Sequence, residues 1–404
     1  MGTPLTPYQR RLFVFLGVAT FFEGYDFLAL TQILPNLRAE FGLSRTEAGW
    51  MVAVINIGTV VAYLLVRYAD RWGRRRVLSI TIAGYTIFTG LSGLAPNPIA
   101  FALLQLVARI FLIGEWATSL VYAAEEFPAE RRGMVIGAIN GLSSLGAILC
   151  AGTVPLLLQT RLGWRAPYFL GVLPLLVLIY ARRGLRETER FQSTQAETMP
   201  RAFTAILRTP YRQRVLRLGA IWMATYMCTQ NAITFWKEFA LSERHFTDAQ
   251  VGMSISIAAV FSMPLVFAVG PFLDRFGRRR GSVVIFIATA TGVLGAYGFS
   301  DRIALTASLV VAIFGASAVL PVLNAFNTEL FPTAFRGDAI AWSNNLIGRV
   351  GYVLSPALVG ILSERIGWGA AVRMTAIFPI VALVMILAFL PETRGRELEQ
   401  TSAL

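Results

Sequence analysis

"ADRWGRRRVL" at 69–78 and "LDRFGRRRGS" at 273–282 each stand between two long apolar runs, and they lie 204 positions apart. At that offset Asp70, Arg71, Gly73, Arg74, Arg75 and Arg76 map onto Asp274, Arg275, Gly277, Arg278, Arg279 and Arg280. The same step carries Phe127, Pro128, Arg132 and Gly133 onto Phe331, Pro332, Arg336 and Gly337, and Gly163 and Trp164 onto Gly367 and Trp368. One register held for about 100 residues marks an internal duplication.

The chain has 404 residues, 55% of them hydrophobic and only 15% charged, more apolar surface than a soluble core of that length hides. Stretches long enough to cross about 30 Å of hydrocarbon, roughly 20 residues each, recur along it. Twelve are read, at 12–37, 48–69, 77–95, 99–126, 134–159, 166–181, 215–240, 250–272, 282–299, 303–331, 338–362 and 369–390. The expected fold is an all-α membrane protein of twelve transmembrane helices in two six-helix pseudo-repeats. Residues 1–181 would form the N-terminal bundle, 182–214 a cytoplasmic linker, and 215–404 the C-terminal bundle with a short tail. Six crossings is an even number, so both copies enter the bilayer from the same side, related by an axis along the membrane normal. The first run is too long for a cleavable leader and, at Glu23 and Asp26, too polar.

A net charge of +13 invites nucleic acid, but the placement of the cations argues otherwise. With both termini cytoplasmic, inner segments hold 25 Lys/Arg and outer loops 9, the asymmetry of the positive-inside rule. The basic charge is therefore topological, and the expected setting is a multi-pass protein of a bacterial inner membrane, monomeric, in contact with lipid and not with nucleic acid. Cys150 and Cys228 fall in apolar runs and read as packing residues. The single histidine, His245, lies in an outer loop, and no zinc spacing or phosphate loop occurs, so neither an enzyme nor a bound metal or organic cofactor is expected.

This organisation resembles the major facilitator superfamily over essentially the whole chain. The superfamily's signature after its second helix is matched from Gly270 to Arg280, and in the first copy it departs only at Val66, where glycine is usual. "EEFPAERRG" (125–133), "ELFPTAFRG" (329–337), "RETERF" (186–191) and "PETRG" (391–395) resemble sugar porters and related metabolite:proton symporters. Physically, Asp70 and Asp274 can cap the N–H groups of a neighbouring helix. Arg71, Arg75, Arg275 and Arg279 can pair with Glu125, Glu187, Glu329 and Glu392, which would make a cytoplasmic gate that latches the halves. The plainer alternative is that these loops enforce topology and touch lipid head groups.

An ionisable side chain inside the membrane costs roughly 2.5–3.5 kcal/mol on insertion scales, so each one needs a reason. Five are read: Glu23 and Asp26 in the first run, Arg109 and Glu115 in the fourth, and Arg349 in the eleventh. None is duplicated, since the offset places Met227, Gln230, Ile313, Val319 and Leu145 opposite them. Arg109 lies ten residues, about 15 Å, into its run, near mid-depth. Glu23 and Asp26 are three apart on one face, where two carboxylates do not readily both ionise, so either can carry a proton. "FEGYDF" (22–27) and "GEW" (114–116) resemble the aromatic-acid, sialate and lactate-type symporters, which implies proton coupling and an acid as solute. Those symporters hold an arginine where this chain has Gln105, with Arg109 one turn later. Gln105, Gln230, Asn231, Asn345 and Tyr25 are the polar candidates around Arg109 and Arg349, whereas Asn140 and Asn344 sit at equivalent repeat positions and read as structural. Glu115 is left between a functional role and that of a fastener.

The expected function is a secondary transporter for a small organic anion, with the proton as coupling ion and two arginines suited to carboxylate. A carrier of sugars or other neutral solutes is the alternative, followed by a drug antiporter and a non-transporting solute sensor.

Overall fold

A computed structural model describes the backbone of residues 5–172 and 204–395, and within these every side chain except those of 64–71, 129, 130, 132, 333 and 334. Most of the linker and of the sixth expected run lies outside the described residues, as does Glu187. The described residues fall into two compact units, one of 5–41 with 54–172 and one of 42–53 with 204–395.

All the described elements are helical, because a chain in hydrocarbon must satisfy its backbone hydrogen bonds within itself. The first unit holds α1 (Pro7–Phe41), most of α2 (Arg45–Trp72), α3 (Arg74–Ser92), α4 (Pro98–Glu126), α5 (Ala129–Leu157) and α6 (Ala166–Leu170). The second holds α7 (Arg212–Thr229), α8 (Asn231–Thr234), α9 (Trp236–Arg244), α10 (Asp248–Phe267), α11 (Val269–Phe276) and α12 (Arg278–Ala296). It continues with α13 (Arg302–Glu329), α14 (Thr333–Ile340), a wider π-helical stretch (Ala341–Gly348), α15 (Arg349–Met374) and α16 (Ile377–Phe389). Among the described residues seven stretches are individually long and apolar enough to cross a membrane, fewer than the runs read from sequence. One of them, Phe335–Phe389, joins two runs, while α3, α7 and α12 open on arginines that lower their hydropathy.

The duplicated motif is visible as geometry. Gly73 and Gly277 break the chain between helices at φ of 91° and 94°, a conformation costly for any side chain with a Cβ. Asn97 and Asp301, again equivalent, cap α4 and α13 by accepting N–H bonds from Ala100 and Ala304 at 2.8 Å. Residues 42–53 belong to the second unit because the start of α2 lies on α15. Arg45 donates to the Ser363 carbonyl at 2.8 Å, and a Cβ on Gly49 would meet Gly360 Cα at 2.8 Å.

In the first unit α1 and α5 touch backbone to backbone. A Cβ on Gly24 would lie 1.9 Å from the Ser143 carbonyl oxygen, and one on Gly146 would lie 1.8 Å from that of Phe21. Small residues permit this approach, which supplies the dispersion contact that replaces hydrophobic driving force in lipid. Gly146→Val should therefore cost at least 1–3 kcal/mol or so by overpacking, and lower the melting temperature in detergent. Gly152→Ala on the same helix, with open space around it, should leave it unchanged.

Candidate functional site

The first unit gathers its charged side chains in one place. Glu23 and Asp26 on α1 and Gln105, Arg109 and Glu115 on α4 are all buried, Glu115 completely. The Arg109 guanidinium lies 5.0 Å from the Phe27 ring, and Gly58 of α2 admits it, since a Cβ there would stand 3.0 Å from Arg109 Cβ. Glu23 is within electrostatic reach of Glu115, Arg109 and Asp26. Asp26 faces Thr89 of α3 and Gly171, where an added Cβ would meet its Oδ1 at 3.1 Å. Glu115 accepts a 2.5 Å bond from the Ser119 hydroxyl. Tyr25 is fully buried with its hydroxyl beside Thr153 of α5. Arg109, expected to meet the solute, thus stands within electrostatic reach of two carboxylates, Glu23 and Asp26.

The second unit builds a different cluster around a broken helix. Where α7 gives way to α8 and α9 at half-buried Gln230, the Tyr297 hydroxyl donates to the freed carbonyls of Asn231 (3.0 Å) and Ala232 (3.2 Å). Asn231 donates to the Met227 carbonyl at 3.0 Å and to Ser355 Oγ on α15, so its amide fastens helices, which the sequence did not reveal. Arg349 lies over two tyrosine rings, 5.8 Å from the centroid of Tyr226 and 5.4 Å from that of Tyr352, and makes no ion pair among the described residues. Helical spacing had put Asn345 one turn below Arg349. The π stretch widens that turn, and the Arg349 N–H reaches the Asn344 carbonyl five residues back. Asn344 joins the cluster, accepting from the Tyr226 hydroxyl at 2.8 Å.

Two buried charges were missed altogether. Lys237, 1% exposed, pairs with Asp248 at 2.5 Å, and its neighbour Glu238 is buried as well. The signal was present: both interrupt the seventh apolar run, and Lys237 is the chain's sole lysine.

At the opposite ends of the helices arginine and glutamate do meet, through Arg74 and Arg278, one position before the expected Arg75 and Arg279. Arg74 bonds Glu125 at 3.1 Å, and its repeat equivalent Arg278 bonds Glu329 at 2.8 Å and Asp274 at 3.0 Å. These arginines come directly after the positive-φ glycine, which turns them inward. Arg75 points outward one position further round the helix, Arg275 is exposed against Phe276, and Arg279 donates to the Leu387 carbonyl. Each of these pairs closes within a single unit, so none is a latch between halves. The side chains of Asp70 and Arg71 lie outside those described. Nor does Asp274 cap α12: Glu392 does, accepting the N–H groups of Arg278 (2.8 Å) and Arg279 (3.0 Å), with Thr393 and Arg394 at 3.1 Å each.

Among the described residues the elements are all helical, seven stretches are apolar and long enough to cross a membrane, and each unit buries charged side chains. The Major Facilitator Superfamily model matches residues 16–239 and 223–403, and the chain belongs to that family. It is a transporter, not an enzyme, an integral multi-pass membrane protein with the superfamily's fold of twelve helices in two repeats. The chain is 27% identical to the cis,cis-muconate transport protein of Acinetobacter baylyi, over 91% of each chain. It is 26% identical to the gallate transporter of Pseudomonas putida, over 95% of this chain and 92% of that one. Its fold matches the inward open xylose transporter XylE of E. coli with a TM-score of 0.78, at 19% identity over 97% and 98% of the two chains.

Glu392 gives a pH prediction. Burial pushes its carboxyl up, but the backbone N–H groups of Arg278, Arg279, Arg394 and Thr393 outweigh this and hold it below the usual range. A folded value below the unfolded one makes this cap fully stabilising above about pH 4.3, and lost as pH falls below that. The melting temperature in detergent should fall on acidification through that window more steeply for the wild type than for Glu392→Gln, which starts lower. Parallel curves would remove the cap from the stability of this unit.

Proposed function

We propose that the protein is a proton-coupled symporter of a small organic carboxylate. The observation that carries this reading is Arg349, a cation resting on two tyrosine faces with no carboxylate partner among the described residues. A planar guanidinium so placed suits a carboxylate, which it can hold by two parallel bonds, and tyrosine faces suit an aromatic or unsaturated body. The relatives named for muconate and gallate support an acid of this kind. In the first unit Glu23 and Asp26 share the reach of Arg109, with Glu115 acting on Glu23 as a like charge, and in a dry interior two or more ionised acids oppose one another, so Asp26 or Glu23 holds the coupling proton. Arg109 then serves as the counter-charge of the acids more than as a solute ligand.

The further expectations stay with this reading. Both termini are cytoplasmic and the membrane is a bacterial inner membrane, as the distribution of arginines favours. The bundles of 1–181 and 215–404 are joined by the linker 182–214. The chain works as a monomer in lipid, without metal or organic cofactor. Gln105, Gln230 and Tyr25 remain candidate solute contacts.

Purified protein in liposomes should take up nicotinate, gallate or cis,cis-muconate faster with an inward proton gradient, and Asp26→Asn should abolish that response while leaving exchange of the acid. Arg349→Gln should raise KM for the acid about tenfold or more, the loss of one charge-assisted pair, and leave a neutral amide such as nicotinamide unaffected. Equal losses for acid and amide would favour the neutral-solute reading.

A further inference from the structure

A cavity of about 490 Å³ lies at the end of the second unit where α11 gives way to α12 and where α16 stops. Its walls combine three arginines, Arg279, Arg280 and Arg394, with three apolar side chains, Phe276, Val283 and Leu387. Glu392 lines the same cavity, but its two oxygens already accept the backbone N–H groups of Arg278, Arg279, Thr393 and Arg394. Asp274 and Glu329, on the neighbouring helices, are held by Arg278. Arg279 gives one N–H to the Leu387 carbonyl, in the last turn of α16 where carbonyls lack helical partners, and has others to spare. The side chains of Arg280 and Arg394 are exposed and make no hydrogen bond or ion pair with a described residue.

The positive-inside rule asks for cations at this end of the helices, but not for three of them around one cavity with the local acids bound elsewhere. Guanidinium groups with N–H donors to spare suit a phosphate, whose oxygens accept them in parallel pairs. Phe276 and Leu387 are exposed beside the arginines, and at the end of membrane-spanning helices their neighbours are acyl chains. A ligand that is anionic at one end and apolar at the other meets both kinds of wall. A zwitterionic lipid would bring an ammonium group as well, and the oxygens of Glu392 are already taken by the backbone.

We propose that this cavity is a binding site for the phosphate headgroup of an anionic phospholipid. Arg279, Arg280 and Arg394 take the phosphate oxygens, and Phe276, Val283 and Leu387 lie against the start of the acyl chains. The lipid adds to the Glu392 cap in tying the segment after α16 to the start of α12. This is a discrete site with its own selectivity, distinct from the general attraction of basic loops to a charged membrane surface, and it is independent of which solute or coupling ion the protein carries.

The full chain, stripped of lipid in detergent, should melt about 5 °C higher with phosphatidylglycerol at a hundredfold its Kd. Phosphatidylcholine, phosphatidylethanolamine and inorganic phosphate at the same concentration should give less than about half that shift. Arg280→Gln combined with Arg394→Gln should abolish the phosphatidylglycerol shift and keep the lipid-free melting temperature within about 2 °C of wild type, since both side chains are exposed. Arg279 is left in place because it supports the Leu387 carbonyl. Leu387→Trp, which fills the cavity and keeps every charge, should abolish the shift too, and it decides the matter if the charge variant folds poorly. A full shift in both variants would put the lipid elsewhere and overturn the site. Equal shifts with phosphatidylcholine would overturn the selection of an anion by the arginines. A full shift with inorganic phosphate, lost in the variants, would overturn the lipid in favour of free phosphate.

Discussion

In hydrocarbon no water is at hand to satisfy a backbone carbonyl, an amide or a charge, and the break inside the seventh apolar run shows the structure answering that shortage. The break between α7 and α8 frees two carbonyls, and the Tyr297 hydroxyl takes both. The chain reversal at Gly277 exposes the N–H groups that open α12, and Glu392 reaches across from beyond α16 to accept them. At Gly367, where α15 is interrupted at φ 81°, the Glu243 carboxylate accepts the N–H groups of Trp368 and Gly369. At these last two breaks the backbone is held by carboxylates brought from elsewhere in the same unit, whereas α4 and α13 use local caps at Asn97 and Asp301.

The same shortage gives the buried ions their meaning. Arg349 is stabilised by the faces of Tyr226 and Tyr352 in place of an anion, an arrangement worth more when desolvated than at a surface. Glu23 and Asp26 share the reach of one arginine, Arg109. On the proposed reading, proton and solute anion arrive together, so that neither charge crosses the membrane alone.

Duplication separates what the scaffold needs from what the chemistry needs. Gly73 and Gly277, Asn97 and Asp301, Arg74 with Glu125 and Arg278 with Glu329 are shared by both repeats, and each closes a turn, caps a helix or pairs charges at the helix ends. Glu23, Asp26, Arg109, Glu115, Lys237 and Arg349 are not shared. The two halves thus have one architecture and two interiors, an acidic one and one built of arginine, tyrosine and amide.

Hydropathy and the 204-residue offset were sufficient for the described helices and the repeat, and the resemblance of the loop motifs for the family, because lipid selects apolar length and a duplicated turn must keep its glycine and its charges. They also located the unduplicated ions of α1, α4 and α15, which stand out against apolar neighbours. They did not say which charge meets which. Arg74, directly after the positive-φ Gly73, meets Glu125, and Asn344, read as structural, accepts from the Tyr226 hydroxyl beneath Arg349. Lys237 was legible as the only lysine, but not as the partner of Asp248 eleven residues on. Local pattern decides where a helix runs and what it carries. Pairing depends on rotations of a few tens of degrees and on chain segments far apart in sequence, and these are settled only when the helices pack.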